Sequence, residues 1–252
     1  MRLAAPCLAL LAVLSGLALP ARADTIQVAV AANFTAPAQK LADAFAHDTG
    51  HVAKLSFGST GKFYAQISAG APFDVLLAAD QATPARLVAE GKALGDTRAT
   101  YAVGKLVLWS ADEHLVDGQG QVLRSDRWRH IAVADPKLAP YGEAARETIE
   151  HLGLGASVNG RLVTAENIGQ AYQFVATGNA ELGFVALGQV QPPDGSHPPG
   201  SMWVVPASLY TPLKQDLVVL SDTRARTAAT AFAAYLKSDA ARAVLQAYGY
   251  GW

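Results

Sequence analysis

The sequence predicts an α/β protein of two lobes with a ligand cleft between them. Short β-rich runs alternate with amphipathic stretches that end in glycine, the pattern of parallel strands covered by helices. That rhythm runs through the first hundred residues, changes, and resumes as a second unit before the chain returns. The 252 residues, 51% of them hydrophobic, suffice for one large domain or two such lobes.

In order, "TIQVAVAA" (25–32) reads as a strand and "TAPAQKLADAFAHDTG" (35–50) as a helix. Leu41, Ala44 and Phe45 share one face of that helix, and Gly50 stops it. "VAKLSF" is a strand, 60–70 a helix ending at Gly70, "FDVLLAA" a strand, and 84–91 a helix ending at Gly91. A parallel sheet is the default for this β-α-β-α-β-α order. "TYAVGKLVLWSA" (100–111) is either one long strand or two hinged at Gly104. "HIAVADP" (130–136), "GRLVTAE" and "LGFVAL" (182–187) are strands, with helices at 141–153 and 168–178. "QVQPPDGSHPPG" is a proline-rich surface loop. "DLVVLS" (216–221) is a strand, and helices at about 222–237 and 239–248 are expected to return to the first lobe. The lobes are therefore expected to be 24–103 plus 216–252, and 104–215, with crossings near Gly104 and 211–215. Ligands of open α/β sheets sit beyond the carboxyl ends of the strands, here in the cleft.

A net charge of −1 with 16% charged residues leaves no broad basic footprint, so no nucleic-acid partner is expected. Residues 1–23 differ in kind. Arg2 precedes the apolar run "LALLAVLSGLAL", and Ala21-Arg22-Ala23 is an A-x-A cleavage site. The run is too short for a normal membrane span. An exported chain cleaved after Ala23 is expected, and cleavage would remove Cys7, the single cysteine.

The stretch "SFGSTGKFYAQISAG" (56–70) looks like half a phosphate loop. However, Phe63 follows Lys62 where a nucleotide loop needs a hydroxyl, and no glycine stands five residues before Gly61. A strand-to-helix turn that can receive an anion remains. Three more helix starts share its character: Ala32-Asn33-Phe34-Thr35, Ala139-Pro140-Tyr141-Gly142 and Glu166-Asn167-Ile168-Gly169-Gln170. Asn167 with Gln170 fits a capping box. Singly, each is an ordinary cap. Two in each lobe, nearly free of first-turn acids apart from Glu143, suit a small dianion, since each helix start supplies roughly half a positive charge. Thr60 and the Asn33 amide add side-chain donors.

An enzyme is not expected. The six histidines are scattered, and Gly50 interrupts the helix between His47 and His51. Asp74, Asp80 and Asp135 stand at strand ends where a hydrolase could carry carboxylates, but no nucleophile elbow accompanies them.

"VAVAANFTAPAQKLADAF", "SFGSTGKFYAQISAGAPFDVLLAADQ", "YAVGKLVLWSA", "VADPKLAPYGEAA", "ENIGQAYQFVATGNAELGFVAL" and "YLKSDAARAVLQAYGY" together resemble the ModA family, the periplasmic molybdate-binding proteins of bacterial ABC transporters. The resemblance covers essentially the whole chain after residue 23 and implies a type II periplasmic-binding fold. It implies a periplasmic, monomeric protein without a cofactor that passes molybdate, and tungstate with it, to a membrane permease. Molybdenum would be held as its oxyanion by Asn33, Thr60, Tyr141 and Ile168. Thr60 stands where relatives carry a serine, and Tyr141 and Ile168 would give backbone N–H groups, so their side chains should matter less. Some members add a tyrosine hydroxyl after "LGFV", where this chain has Ala186. Sulfate, equally charged and tetrahedral but smaller, or another tetrahedral oxyanion is the competing ligand.

Overall fold

A computed structural model gives the structure of residues 23–252. The expected signal peptide lies outside the described residues, apart from Ala23. The chain begins with β1 (Thr25–Ala31), α1 (Thr35–Thr49), β2 (Val52–Gly58), α2 (Thr60–Ser68), β3 (Val75–Leu77), α3 (Ala82–Ala89) and β4 (Ala99–Gly104). A second unit follows: β5 (Leu106–Ser110), β6 (Ile131–Ala134), α4 (Pro140–His151), α5 (Gly155–Val158), β7 (Leu162–Ala165), α6 (Ile168–Ala176), β8 (Leu182–Ala186), α7 (Leu187–Val190) and β9 (Ser201–Val204). The chain returns through β10 (Leu213–Val219), α8 (Arg226–Tyr235) and α9 (Asp239–Ala247).

Two five-stranded sheets result, ordered β2-β1-β3-β10-β4 and β7-β6-β8-β5-β9. Each is mixed rather than all-parallel. β1 runs parallel to β2 and β3, and β6 parallel to β7 and β8. β10 is antiparallel to β3 and β4, because it returns from the second unit and enters the first sheet from the opposite end. β5 is antiparallel to β8 and β9. The 100–111 stretch is two strands in two different sheets, separated by Lys105 alone.

The fully buried face of β1, Ile26, Val28 and Val30, packs with Phe34 and Phe45 of the first helical segment and with Phe232 and Leu245 of α8 and α9. Each such side chain contributes about 1.5–3 kcal/mol on burial. Ala29, on the other face, joins Phe63, Ile67 and Leu87 of α2 and α3. The second sheet encloses Leu106, Leu108, Val133 and Phe184 with Trp128 and Ile149. Hydrophobic period therefore assigned the expected strands and helices correctly, and for these the differences are at their ends. α3 starts two residues before the expected 84, because Asp80 Oδ1 accepts the Thr83 N–H at 2.7 Å and secures its first turn. α8 starts at Arg226 rather than 222, after a turn, and β10 starts at Leu213 rather than 216. β9 and the short helices α5 and α7 were not expected at all.

Candidate functional site

Four carboxyl strand ends lead into helix starts, and the starts converge. β1 passes through the short turn Ala32–Phe34 into α1, β2 through Ser59 into α2, β6 through a loop into α4, and β7 into α6. Between them lies a cavity with about 10 Å³ open to the centre of a water-sized sphere. Its walls are Ala31–Asn33, Gly58–Thr60, Ala79, Ala139–Tyr141, Asn167 and Ile168, with no formally charged side chain among them. All four residues expected at the site therefore line one cavity. A larger hollow of about 530 Å³, near Phe73, Asp74, Lys92 and Arg224, lies at the amino ends of β1 and β3. It takes in the start of one helix, α8 at Ala225, and its lining mixes the carboxylates Asp74 and Asp222 with Lys92 and Arg224.

The donors are fixed by what surrounds them. Thr60 is 1% exposed, and its hydroxyl oxygen accepts the Ala79 N–H at 3.0 Å, which leaves its own proton for a ligand. Ser59, buried beside it, caps no helix N–H, and its hydroxyl has no hydrogen-bond partner. The Gly61 N–H, one residue into α2, reaches instead across the cleft to the Leu138 carbonyl at 2.9 Å. Asn33 differs from expectation. Its side-chain NH2 donates to Gln215 Oε1 at 2.9 Å and to Tyr250 Oη at 3.2 Å, so those protons are engaged. The Asn33 main chain, at the start of its turn, is the group left to donate. Asn33 Oδ1 is buried without a partner.

Tyr141 also departs from the expectation that its side chain matters little. Its ring is buried, and its hydroxyl accepts from Gln215 Nε2 at 3.2 Å. Asn167 caps α6 by accepting the Gln170 N–H at 3.0 Å. The reciprocal bond of a capping box is displaced by one residue, since Gln170 Oε1 takes the Glu166 N–H at 2.7 Å. Ile168 is held by Gln189, whose Nε2 donates to the Ile168 carbonyl at 3.1 Å while its Oε1 accepts the Ala186 N–H at 2.9 Å.

The two acids nearest the helix starts are neutralised locally. Glu143 receives both Arg146 Nε and Nη2, which hold its carboxyl below the usual carboxylate range. Glu166 meets Lys62 Nζ at 2.5 Å, an ion pair across the rim between α6 and α2. Lys62 is therefore a rim residue. Asp74 and Asp135 accept backbone N–H groups, and Asp80 serves α3. No cluster of three or more His, Cys, Asp or Glu able to hold a metal ion occurs among the described residues.

Burial pushes the phenols of Tyr101 and Tyr141 well above their ordinary range, and that of Tyr250 upward too. Ligand affinity should accordingly be flat from about pH 6 to 9, because no wall group titrates there. Calorimetry across that range checks this, and a steep slope would reveal a titrating group at the ligand.

The residues that sequence reasoning missed are Ser59 as a free hydroxyl, and Gln189, Gln215 and Tyr250 as supports. Gln215 left one signal. On β10 it alternates with Leu213 and Leu217, which places a polar residue on the buried face.

The family model of bacterial extracellular solute-binding proteins matches residues 26–251. The molybdate-binding protein ModA of Azotobacter vinelandii is 53% identical over 235 residues, covering 93% of both chains. Its counterpart in Rhodobacter capsulatus is 49% identical over 240 residues, 95% of this chain and 93% of that one. The solved Azotobacter vinelandii periplasmic molybdate-binding protein superposes with a TM-score of 0.88 at 43% identity, covering 90% of this chain and 99% of that one. The sulfate-binding protein SubI of Mycobacterium tuberculosis, TM-score 0.72 at 17% identity, shares the fold alone. These relatives are solute-binding proteins rather than enzymes, and the chain belongs with the ModA proteins to the family of bacterial extracellular solute-binding proteins.

Proposed function

We propose that this protein captures molybdate, and tungstate equally, in the cavity between its lobes and delivers it to the membrane permease of an ABC importer. The observation that carries the reading is an uncharged cavity where four helix starts meet. Asn33, Tyr141 and Ile168 donate backbone N–H groups and Thr60 its hydroxyl, so a dianion is balanced by fixed dipoles without a salt bridge. The names of the close relatives support molybdate as the ligand. We take the lobes as 24–104 plus 213–252, and 105–212, since β4 ends at Gly104 and β10 begins at Leu213 in the first sheet. The protein acts as a monomer in the periplasm after cleavage behind Ala23, without a cofactor and without nucleic acid.

The test is a thermal-shift and calorimetric screen. A ligand at a thousandfold excess over its dissociation constant adds about 4 kcal/mol, roughly 8–16 °C for a chain of this size. Molybdate and tungstate should give that rise, and sulfate a smaller one because it spans the donors less well. Phosphate keeps a proton near neutral pH, and no carboxylate lines the cavity to accept it, so no rise is expected. A phosphate shift as large as that of molybdate would mean that an acceptor faces the ligand, Asn33 Oδ1 being the nearest candidate. A larger rise with sulfate would reassign the protein to sulfate.

A further inference from the structure

Gln215 is fully buried in the first sheet, next to the point where the chain crosses between the lobes. A buried amide is costly unless its polar atoms are matched. Here they are matched by residues of both lobes. Oε1 accepts from Asn33 Nδ2 at 2.9 Å and from Tyr101 Oη at 3.1 Å. Nε2 donates to Tyr141 Oη at 3.2 Å. Asn33 stands on the first-lobe wall of the cavity, and Tyr141 on the second-lobe wall. One amide thus joins both walls from behind.

The joint passes through the crossing itself. At Gly104, the last residue of β4, a Cβ would lie 1.9 Å from Tyr141 Oη and 2.7 Å from Gln215 Nε2, so only glycine leaves room for the contact. Gln215 lies on β10, the strand by which the chain comes back, and the pairing of β10 with β4 shifts register between Gln215 and Asp216. Both crossings therefore meet at this side chain.

The geometry points to Gln215 as the positioning residue for ligand capture: its amide sets the Asn33 wall against the Tyr141 wall, so the lobes close in the register that brings their N–H groups onto one oxyanion. Gln215 touches no ligand in this role and acts through its two neighbours. The inference rests on the proposed capture of molybdate in this cavity.

The experiment uses the mature chain with molybdate, following closure and release by stopped-flow intrinsic fluorescence. Gln215→Met conserves volume and removes the amide. Tyr141→Phe keeps the backbone donor and removes the hydroxyl at the second-lobe end of the joint, with its contacts to Gln215 and Tyr250. A buried hydrogen-bonding group left unmatched corresponds to roughly tenfold or more in an equilibrium constant. Each variant should release molybdate roughly tenfold faster with little change in association, because encounter precedes closure. The double variant should add little to the single ones, since both cut the same joint. Overturning results are release at the wild-type rate, effects that simply multiply, or a release change matched by an equal loss of stability in the free protein. If Gln215→Met does not fold, Tyr141→Phe carries the test alone. A wild type silent to molybdate overturns the functional reading and this inference with it. Wild-type binding with unaffected variants overturns only the role of Gln215.

Discussion

Replacing Thr60 with Asp is expected to abolish measurable molybdate binding. Thr60 is 1% exposed and lines the cavity, where every other wall residue is neutral. A carboxylate there would face a dianion in a site with little water to screen the repulsion. It would also take up the helix-start N–H groups that otherwise serve the ligand. Thr60→Val is milder but fails in two separable ways. Loss of the free hydroxyl proton costs roughly 1.5–3 kcal/mol of binding, about ten- to a hundredfold. Loss of the oxygen orphans the Ala79 N–H, now bonded at 3.0 Å, and lowers the stability of the free protein. That second cost is about 1–3 kcal/mol. Thr60→Ser keeps both functions and should bind almost as the wild type does. Calorimetry on the three variants decides, and full affinity in the aspartate variant would remove Thr60 from the site.

Gly142→Ala is expected to damage both stability and affinity. A Cβ at Gly142 would lie 2.2 Å from the Ala134 carbonyl oxygen, 2.8 Å from its carbon and 3.0 Å from the Asp135 carbonyl carbon. All three are backbone atoms at the end of β6, so no side chain can swing aside. The start of α4 must move away from the sheet, carrying with it the Tyr141 N–H and the Tyr141–Gln215 bond. Overpacking of this kind costs about 1–3 kcal/mol or more, roughly 2–12 °C in melting temperature. Gly50→Ala is the control. It ends α1 at φ +77° with nothing within 4 Å of the added methyl. Its backbone strain costs about 1–2 kcal/mol and should leave affinity unchanged. Melting curves with and without molybdate separate the two cases, and an intact Gly142→Ala protein would mean that α4 does not rest on β6 as described.

The alternation of strands and helices was legible because each element carries its period locally. Strand direction was not. Nothing within "KQDLVV" states that β10 enters the sheet against its neighbours, because the tertiary path decides that. The two readings of 100–111 have the same local pattern, and the pairings that separate them, β4 with β10 and β5 with β8 and β9, involve strands outside the stretch. β9 was missed because it is four residues long and follows a proline-rich loop that dominates its surroundings. At the site, the turns after the strands marked four helix starts as a group, with Thr60 and Asn33 as side-chain donors, and the resemblance to the ModA family added Tyr141 and Ile168. Where the Asn33 amide points was not legible, since its partners lie on other elements. The same holds for Lys62, whose acid arrives from the other lobe.

Asn33 also has a consequence for the order of folding. Its partner Gln215 lies 182 residues further on, and Tyr250, which donates to the Asn33 carbonyl at 2.7 Å, lies 217 further on. Loop closure over such spans is entropically costly and slow. A nascent chain can pair β1, β2 and β3 early, as parallel strands with their own helices, and still have an Asn33 free to turn. The cavity gains its final shape only when residues 215 and 250 have docked, so ligand capture marks a chain that has finished folding.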